Sequence, residues 1–436
     1  MKFYDREQEI SQLRHVGLLA ETTAQLTLLV GRRRVGKTSL LLHAFKGERY
    51  IYFFVGKKSE AIQAAELQHE IESVLDMRIY GQSRSVAELI EHVLRYSYEQ
   101  KVTLIIDEFQ RLEEIGQGII SDIQRVWDRH KDRARIHLIA CGSVYSMMNK
   151  IFENSKEPLF GRKTAKIELK PFRIAVLKQI LADHNPGYTP ADLLMFYSIT
   201  GGVAKYVEQL CVQRAVTEDG MLNLVCSPAS IFIDEGTELL VGEFGRRYQT
   251  YYSILQLIAS GHTSQLEIDS VIGKNTGRYL ETLETQYSII QKVRPFKAKP
   301  KTQGVKYFIS DNFLTFWFRF IEHNRRMVEL GKLDLLRESI ATGYTQFSGT
   351  MLERYFRQLY AEKDRVTDVS HWWDSHGQNE IDLIAIEALD KRAIIAEVKR
   401  NPQKIDIAHL QEKYQRIKAH FRGYQVTFKG LSTNDM

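Results

Sequence analysis

The fold of this chain follows from the segment Leu26-Thr-Leu-Leu-Val-Gly-Arg-Arg-Arg-Val-Gly-Lys-Thr-Ser39, in which an apolar run gives way to the spacing G-x-x-x-x-G-K-T. It predicts a strand, a phosphate loop and a helix, because Gly31 and Gly36 permit backbone angles that turn successive N–H groups toward a polyphosphate. Lys37 is placed to reach the β- and γ-phosphates, and the Thr38 hydroxyl to bind Mg²⁺. A chance match in a glycine-rich turn is the alternative, but the flanking strand and helix are the required context. The predicted nucleotide-binding residues are Gly31, Arg32, Arg33, Arg34, Val35, Gly36, Lys37, Thr38 and Ser39.

Length and composition fit a soluble multidomain protein. The 436 residues allow roughly two to four domains, each with its own core. Lys and Arg number 60 against 54 Asp and Glu, and this excess of +6 permits an acidic partner without requiring one. The three cysteines show no C-x-x-C spacing, which argues against a disulfide framework or a zinc site and fits a reducing cytosol. No signal pattern and no run long enough to span a bilayer is present, so we expect a cytoplasmic protein without a membrane role.

The second half of the nucleotide site is predicted at residues 102–110, an apolar strand that ends in two carboxylates. Asp107 is placed to bind the water shell of Mg²⁺, and Glu108 to polarise the attacking water. The cofactors expected from both segments are therefore ATP and Mg²⁺. An extra strand, predicted at residues 49–55, lies between the two segments along the chain. This arrangement resembles the additional-strand class of P-loop ATPases, which includes AAA+ and related switch proteins.

Two later residues are candidates for completing the site. Ser143 ends a strand where this class keeps a sensor of the γ-phosphate, although a serine that caps the next helix fits equally. Arg162 precedes the following strand and is a candidate arginine finger, acting in cis or from a neighbouring subunit, with a surface arginine as the alternative. The helical segments of residues 171–240, broken at glycine-containing turns, predict a lid over the nucleotide.

Residues 245–322 predict a winged helix, since three helical stretches precede two strand-like pieces around a polar loop. The interpretation of this loop is a wing on DNA phosphates, and the alternative is a solvated loop. A charged helical linker is predicted from Glu322 to about Ser339. The loop contains no acidic residue and six basic ones, Lys292, Arg294, Lys297, Lys299, Lys301 and Lys306.

The last domain, residues 335–436, contains two apolar runs that predict a β-hairpin. Counting outward from the turn places Asp382 across from residues 397–399, and strand alternation puts Glu397 and Lys399 on one face. Buried charges of this kind are costly unless they are paired or bind a metal.

A nuclease-like metal site is therefore predicted in this hairpin. Asp382 and Glu397 would hold Mg²⁺ at a scissile phosphate, Lys399 would orient or activate the water, and Glu353 from the preceding helix would add a carboxylate. A structural ion pair at a strand end is the alternative.

Together these motifs resemble the archaeal-type AAA ATPases that carry a C-terminal DUF234 domain related to PD-(D/E)xK nucleases and that are placed beside the STAND switch ATPases. The resemblance implies nucleotide contacts from Phe3 and Arg6, slow hydrolysis and control by homo-oligomerisation. One departure is Ala204, where the family usually has proline. The residues that carry the resemblance are Phe3, Arg6-Glu7, the phosphate loop, Asp107-Glu108, Gly142-Ser143, Leu159-Phe-Gly-Arg162, Asp311, Phe316-Trp-Phe318, Asp382 and Glu397-Val-Lys399.

The predicted fold class is an α/β multidomain protein with an additional-strand P-loop NTPase core (1–170), a helical lid, a winged helix and a C-terminal α/β PD-(D/E)xK-like domain. The predicted function is a Mg²⁺-dependent switch ATPase that binds and hydrolyses ATP, contacts DNA through the wing and is coupled to a nuclease-like domain. The rival is a regulatory ATPase whose last domain is a non-catalytic module that binds a protein partner or DNA.

Overall fold

The chain forms two compact units in the computed structural model, which describes residues 2–116, 118–244, 248–299, 304–374 and 377–436. One unit spans Asp5–Lys170, and the other combines Met1–Tyr4 with Pro171–Met436. Lys301, one of the six basic residues predicted in the wing, lies outside the described residues. None of the helices in the described ranges combines the length and the hydrophobicity that a membrane crossing needs.

The unit of residues 5–170 is built on a five-stranded parallel sheet. Its strands are β1 (Gln25–Val30), β2 (Ile51–Phe54), β3 (Val102–Asp107), β4 (Ile136–Gly142) and β5 (Ala165–Glu168). The spatial order is β2-β3-β4-β1-β5. Every residue of β1, β3 and β4 is buried, as expected for parallel strands covered on both faces. The carboxyl ends of these three strands meet at one edge, where side chains from the following loops converge.

Helices cover this sheet and connect its strands. They are α1 (Glu7–Leu19), α2 (Lys37–Ala44), α3 (Glu60–Leu75), α4 (Val86–Tyr96), α5 (Leu112–Ile115), α6 (Ile119–His130) and α7 (Tyr145–Glu153). Helix α2 begins directly after Gly36, whose φ of 97° is favourable only for glycine. The predicted succession of strand, phosphate loop and helix is therefore confirmed in β1, the loop and α2.

The second unit is mainly helical before residue 362. Its helices are α8 (Ile174–His184), α9 (Pro190–Thr200), α10 (Ala204–Val212), α11 (Glu218–Val225), α12 (Ile231–Phe244), α13 (Tyr248–Ala259), α14 (Gln265–Ile272), α15 (Gly277–Thr285), α16 (Asn312–Phe316), α17 (Arg325–Glu329), α18 (Leu333–Ala361) and, in the last domain, α19 (Ile407–Gln415). A π-helical segment, Trp317–Glu322, continues α16. Strands β6 (Ile290–Val293) and β7 (Lys306–Ile309) pair antiparallel after α15.

One hydrophobic core joins the regions predicted as lid, winged helix and C-terminal domain. Its centre includes Trp317, which is fully buried and donates a 2.8 Å hydrogen bond to the Ile233 carbonyl. The predicted charged helical linker, Glu322 to about Ser339, comprises the end of the π-helical segment, α17 and the first residues of α18, so it is mostly helical as predicted. Leu336 of α18 is buried in this core, which gives this charged segment a buried side.

The last domain contains a four-stranded sheet of β8 (Asp368–Trp373), β9 (Glu380–Glu387), β10 (Arg392–Val398) and β11 (Gln425–Leu431), in the order β11-β10-β9-β8. Strands β9 and β10 pair antiparallel, and β10 and β11 pair parallel. The predicted hairpin is confirmed, since the pairing of Ala396 with Leu383 continues to place Glu397 opposite Asp382.

Candidate functional site

The phosphate loop has the backbone that a polyphosphate site requires. A Cβ atom on Gly31 would lie 2.6 Å from the Leu169 carbonyl oxygen, so a larger residue does not fit there. The buried Lys37 folds back over the loop, and its Nζ donates hydrogen bonds to the carbonyls of Gly31 (2.8 Å) and Arg32 (3.0 Å). These carbonyls hold the ammonium beside the loop, where it can exchange them for phosphate oxygens.

Asp107 lies at the end of β3 and is held from three directions. Its Oδ2 accepts hydrogen bonds from the Thr38 hydroxyl at 2.9 Å and the Tyr52 hydroxyl at 2.7 Å. Its Oδ1 accepts the backbone N–H of Glu108 at 2.9 Å. A hydroxyl and a carboxylate are oxygen ligands that suit Mg²⁺, so Thr38 and Asp107 fit the predicted metal.

Tyr52 is a site residue that sequence reasoning missed. It lies on β2, and neither a motif nor a fixed spacing marked it. Burial and the hydrogen bond to Asp107 raise the pKa of its phenol, so the hydroxyl keeps its proton and remains a donor. Burial and the Asp107 carboxylate likewise raise the pKa of the Cys141 thiol, which stays neutral.

Glu108 is restrained by two neutral donors. Its backbone has a φ of 57°, in the left-handed region, and its Oε2 accepts hydrogen bonds from Ser143 Oγ at 2.9 Å and Gln110 Nε2 at 2.6 Å. The Arg111 Nε lies 3.7 Å from the same oxygen. The structure thus brings Ser143 to the predicted base, and it adds Gln110, which the sequence analysis did not select.

Arg162 is engaged elsewhere. Its Nε and Nη2 bind the Asp128 carboxylate at 3.0 and 2.7 Å, and its Nη1 donates to the Pro158 carbonyl at 2.6 Å. This pairing holds the pKa of Asp128 below its usual range. The structure therefore does not bring Arg162 together with Glu108 and Ser143, and a finger role requires the release of Asp128.

The two N-terminal residues implied by the family resemblance belong to different units. Phe3 lies in the unit that contains residues 171–436, and Arg6 lies in the ATPase unit. Arg6 is buried at the start of α1, and its Nη1 lies 3.5 Å from Glu9 Oε1. Their nucleotide contacts stay predictions.

The C-terminal hairpin brings three predicted residues together. The Lys399 Nζ lies 3.2 Å from Asp382 Oδ2 and 3.5 Å from Glu397 Oε1. The backbone N–H of Val398 donates to Asp382 Oδ2 at 2.8 Å, and that of Asp406 donates to Glu397 Oε2 at 2.9 Å. Both carboxylates are buried, at 5% and 6% exposure. Each buried charge is therefore compensated by the ammonium and by a backbone donor.

Glu353 approaches this cluster from α18 but pairs with an arginine. Its Oε2 lies 3.3 Å from Arg357 Nη1, which also donates a 2.9 Å hydrogen bond to the Asp382 carbonyl. Burial raises the pKa of Glu353 to about 7, and the nearby Asp382 and Glu380 add to this while Arg357 opposes it. Within the described ranges no group of three or more His, Cys, Asp or Glu residues is arranged to hold a metal ion. The role of Glu353 as a third metal ligand beside Asp382 and Glu397 stays a prediction.

Lys413 is a further residue that the sequence analysis missed. It projects from α19, is 12% exposed, and its Nζ lies 3.8 Å from Glu397 Oε1. Glu397 is consequently shared between Lys399 and Lys413.

The predicted wing is anchored on the last domain. Phe296 is 5% exposed, stacks on Phe421 with 5.2 Å between ring centroids, and donates its backbone N–H to the His371 carbonyl at 2.9 Å. At the other end of the loop, Lys306 Nζ lies 4.8 Å from the ring centroid of Trp373. Lys292 and Lys297 also lie over aromatic rings. The loop is therefore packed at both ends, in contrast to a fully solvated loop.

Comparison with known proteins identifies two domain families in the chain. Residues 3–210 match a family described as an ATPase domain predominantly from Archaea. Residues 317–418 match DUF234, described as archaea bacterial proteins of unknown function. The chain is 28% identical over 416 residues to the uncharacterized protein MJECL04 of Methanocaldococcus jannaschii, across 91% of this chain and 87% of that protein.

Solved structures also resemble the chain. The Walker-type ATPase PABY2304 of Pyrococcus abyssi matches with a TM-score of 0.55 at 20% identity, over 73% of this chain and 96% of that one. The ORC2 protein of Aeropyrum pernix, solved as ADPNP–ADP complexes, gives a TM-score of 0.37 at 14% identity, over 78% and 96% of the two chains. The first likeness supports the fold. The chain thus contains an ATPase domain of the family found predominantly in Archaea, followed by a DUF234 domain.

Proposed function

We propose that the protein is a Mg²⁺-dependent switch ATPase whose C-terminal domain is a metal-dependent, nuclease-like module acting on DNA. The observation that carries the nuclease-like part is the assembly of Asp382, Glu397 and Lys399 at one end of a buried hairpin. Buried carboxylates are costly to keep, and two of them beside a lysine could hold a metal ion and orient a phosphate. Support for the ATPase part comes from the family match and from the site around Asp107.

The ATPase site holds its proposed base, Glu108, in a fixed orientation. Hydrolysis requires a Glu108 oxygen that can accept a proton from the attacking water. In the present arrangement Oε2 already accepts hydrogen bonds from Ser143 and Gln110. The second carboxylate oxygen, Oε1, can accept that proton while Ser143 and Gln110 hold Oε2 in place. Thr38 and, through a water molecule, Asp107 would hold Mg²⁺, which would neutralise negative charge on the phosphates.

The C-terminal site would use its residues differently. Asp382 and Glu397 supply oxygen ligands of the type that Mg²⁺ prefers, and each is held in place by a backbone N–H. The bound metal would stabilise negative charge on the scissile phosphate. Lys399 lies between the two carboxylates and is placed to donate a hydrogen bond to the attacking water or to the phosphate.

The DNA partner is supported by the element order of residues 248–309. Helices α13, α14 and α15 precede the β6–β7 hairpin, which is the order of a winged helix. The loop between these strands is basic, and phosphate contacts of this type are largely independent of sequence. A homo-oligomer controlled by nucleotide state belongs to the same proposal.

Metal binding and cleavage are the tests of this proposal. Mg²⁺ or Mn²⁺ should raise the melting temperature of the full chain in the absence of nucleotide, because a ligand bound only by the folded state stabilises it. Asp382→Ala should remove that rise, whereas the control Asp390→Ala, in an exposed ion pair at the hairpin turn, should keep it. Lys399→Ala should stop DNA cleavage and retain the metal effect. Duplex, branched and single-stranded DNA should be compared without nucleotide, with ADP and with a non-hydrolysable ATP analogue.

A second function is favoured by one observation. The Lys399 ammonium already compensates the carboxylates of Asp382 and Glu397. The described part of the chain contains no group of three or more His, Cys, Asp or Glu residues arranged to hold a metal ion. A non-catalytic module that binds a protein partner or DNA needs only this ion cluster. If every DNA form stays intact in every nucleotide state and the metal gives no thermal shift, this regulatory ATPase replaces the nuclease-like proposal.

A further inference from the structure

Two basic segments, far apart in the sequence, lie against each other in the second unit. One is the first part of the wing loop, residues 292–299, and the other is residues 416–422, which follow α19. Neither segment contains an acidic residue. We call them together the basic face, formed by Lys292, Arg294, Lys297 and Lys299 with Arg416, Lys418, His420 and Arg422.

An aromatic contact joins the two halves of the basic face. The buried Phe296 ring stacks on Phe421 and meets the His420 ring edge-on, with 6.0 Å between the latter centroids. Phe296 belongs to the hydrophobic cluster of the last domain, together with Leu410 and Tyr414 of α19. The wing is therefore fixed beside residues 416–422 by burial of an aromatic side chain.

The cations of this face remain accessible. Arg294, Lys297 and Lys299 are exposed in the wing, as are Lys418 and Arg422 in the second segment. Arg416 pairs with Asp374, at 3.5 Å, while neither Lys418 nor Arg422 has an ion-pair partner among the described residues. Unneutralised cations on two adjoining segments produce a local positive field that is larger than the overall charge of +6 suggests.

Residues next to each half of the basic face contact the strands that carry the C-terminal charged cluster. Helix α19, which leads into residues 416–422, carries Lys413 with its Nζ 3.8 Å from Glu397. On the wing side, Lys306 lies over Trp373, and Trp373 pairs with Glu380, two residues before Asp382. The second segment runs from Arg416, which pairs with Asp374 just after β8, to the start of β11, where Gln425 pairs with Arg392 at the opposite end of β10 from Glu397. The face therefore extends along the sheet toward the cluster.

We propose that the basic face is a single binding surface for the sugar–phosphate backbone of a nucleic acid, which it leads to the cluster of Asp382, Glu397 and Lys399. This inference rests on the proposed nuclease-like function and defines its substrate as a strand that crosses from the wing to α19. Recognition is tolerant of sequence, since dispersed Lys and Arg side chains contact phosphates rather than base edges. The exposed side chains of Lys418 and Arg422 extend the proposed binding surface beyond the predicted wing.

The test uses the full chain and fluorescent duplex and single-stranded DNA at several salt concentrations. The double variant Lys418→Ala/Arg422→Ala should bind DNA about 3- to 10-fold more weakly. Its plot of log affinity against log salt should be less steep by about 1–2 units, one per lost phosphate contact. The matched control Arg326→Ala/Lys332→Ala removes the same charges from exposed positions near the start of α18 and should bind as the wild type does. Adding Lys297→Ala/Lys299→Ala to the first variant should make the salt dependence of DNA binding less steep again.

The outcomes separate this surface from the nuclease-like proposal. Loss of binding in the Lys418→Ala/Arg422→Ala variant, with no cleavage by the wild type, would keep the surface and remove only the nuclease function. Unchanged affinity and slope in that variant overturn the surface, as does an equal loss in the control. Competition by polyglutamate as effective as that by DNA would assign the face to an acidic protein instead.

Discussion

The Ser143 hydroxyl donates a 2.9 Å hydrogen bond to Glu108 Oε2, and this bond joins the end of β4 to the residue that follows β3. Gln110 donates to the same oxygen at 2.6 Å. Ser143 and Gln110 therefore hold the carboxylate of the predicted base together, from the end of β4 and from the turn after β3.

Glu108→Gln should bind ATP and hardly hydrolyse it. The amide keeps the size of the side chain and can still accept from Ser143, but it cannot take a proton from water. Turnover should fall on the order of 10²-fold or more. Equilibrium binding of a fluorescent ATP analogue and phosphate release under saturating ATP measure the two effects. Lys37→Ala is the contrasting variant and should lose most of its nucleotide binding. Wild-type turnover in Glu108→Gln would remove Glu108 from the role of base.

Arg162→Ala should act mainly on stability. The guanidinium makes bidentate contact with Asp128 and also binds a loop carbonyl, and hydrogen bonds to charged groups are worth about 1–3 kcal/mol. The free energy of unfolding of the variant should fall by about that amount in urea, and Asp128→Asn should produce a similar fall. Hydrolysis at a temperature where both variants are folded should stay within a few-fold of the wild type. Restored hydrolysis on mixing Arg162→Ala with Glu108→Gln would instead identify Arg162 as a finger acting between subunits.

The parts of the molecule that could be predicted are those determined by residues close together in the sequence. The phosphate loop has a fixed spacing, and the strand ending at Asp107 is a continuous apolar run, so both were identified without knowledge of the fold. The hairpin was equally accessible, because alternation and the turn position together set the register that places Asp382 opposite Glu397.

The parts that could not be predicted are contacts between side chains distant in sequence. Tyr52 meets Asp107 across 55 positions, and no spacing rule links an edge strand to a particular carboxylate. Arg162 was predicted as a candidate arginine finger because its position in the sequence does not reveal the ion pair that it forms with Asp128. The burial of Phe296 likewise depends on Phe421, which is supplied by the last domain.

His137 should make the protein sensitive to acid. It is fully buried in β4, its Nε2 lies 2.8 Å from Thr27 Oγ1, and burial lowers its pKa from 6.5 to about 3. As the pH falls below 6.5, the unfolded chain binds a proton that the folded state excludes, so stability is lost progressively down to about pH 3.

Between pH 7 and pH 4.5 the free energy of unfolding should therefore fall by roughly 2–3 kcal/mol less in His137→Gln than in the wild type. Urea denaturation at a series of pH values measures this, and His15→Gln, at an exposed position, is the control. Parallel stability curves for His137→Gln and the wild type would show that His137 is not the group responsible.

Tyr52→Phe should change the metal requirement of nucleotide binding. Tyr52 donates its hydroxyl to the Asp107 oxygen that also accepts from Thr38, so it positions the carboxylate that is expected to hold the water shell of Mg²⁺. Residues that orient a metal-binding group commonly change metal affinity about 10- to 100-fold when they are removed. The Mg²⁺ concentration for half-maximal ATP binding should rise by about 10-fold in this variant, whereas binding in excess EDTA should be unchanged.

Tyr98→Phe is the matched control for this measurement. It also removes a tyrosine hydroxyl that is hydrogen bonded within the ATPase unit, in this case to His130. A purely structural contribution of Tyr52 would lower the melting temperature of both variants and leave the Mg²⁺ dependence of both unchanged. A rightward shift of the Mg²⁺ titration in Tyr52→Phe alone is the result that assigns Tyr52 to the metal site. Superimposable Mg²⁺ titrations of Tyr52→Phe and the wild type would mean that the Thr38 hydroxyl and the backbone N–H of Glu108 hold Asp107 without the Tyr52 hydroxyl.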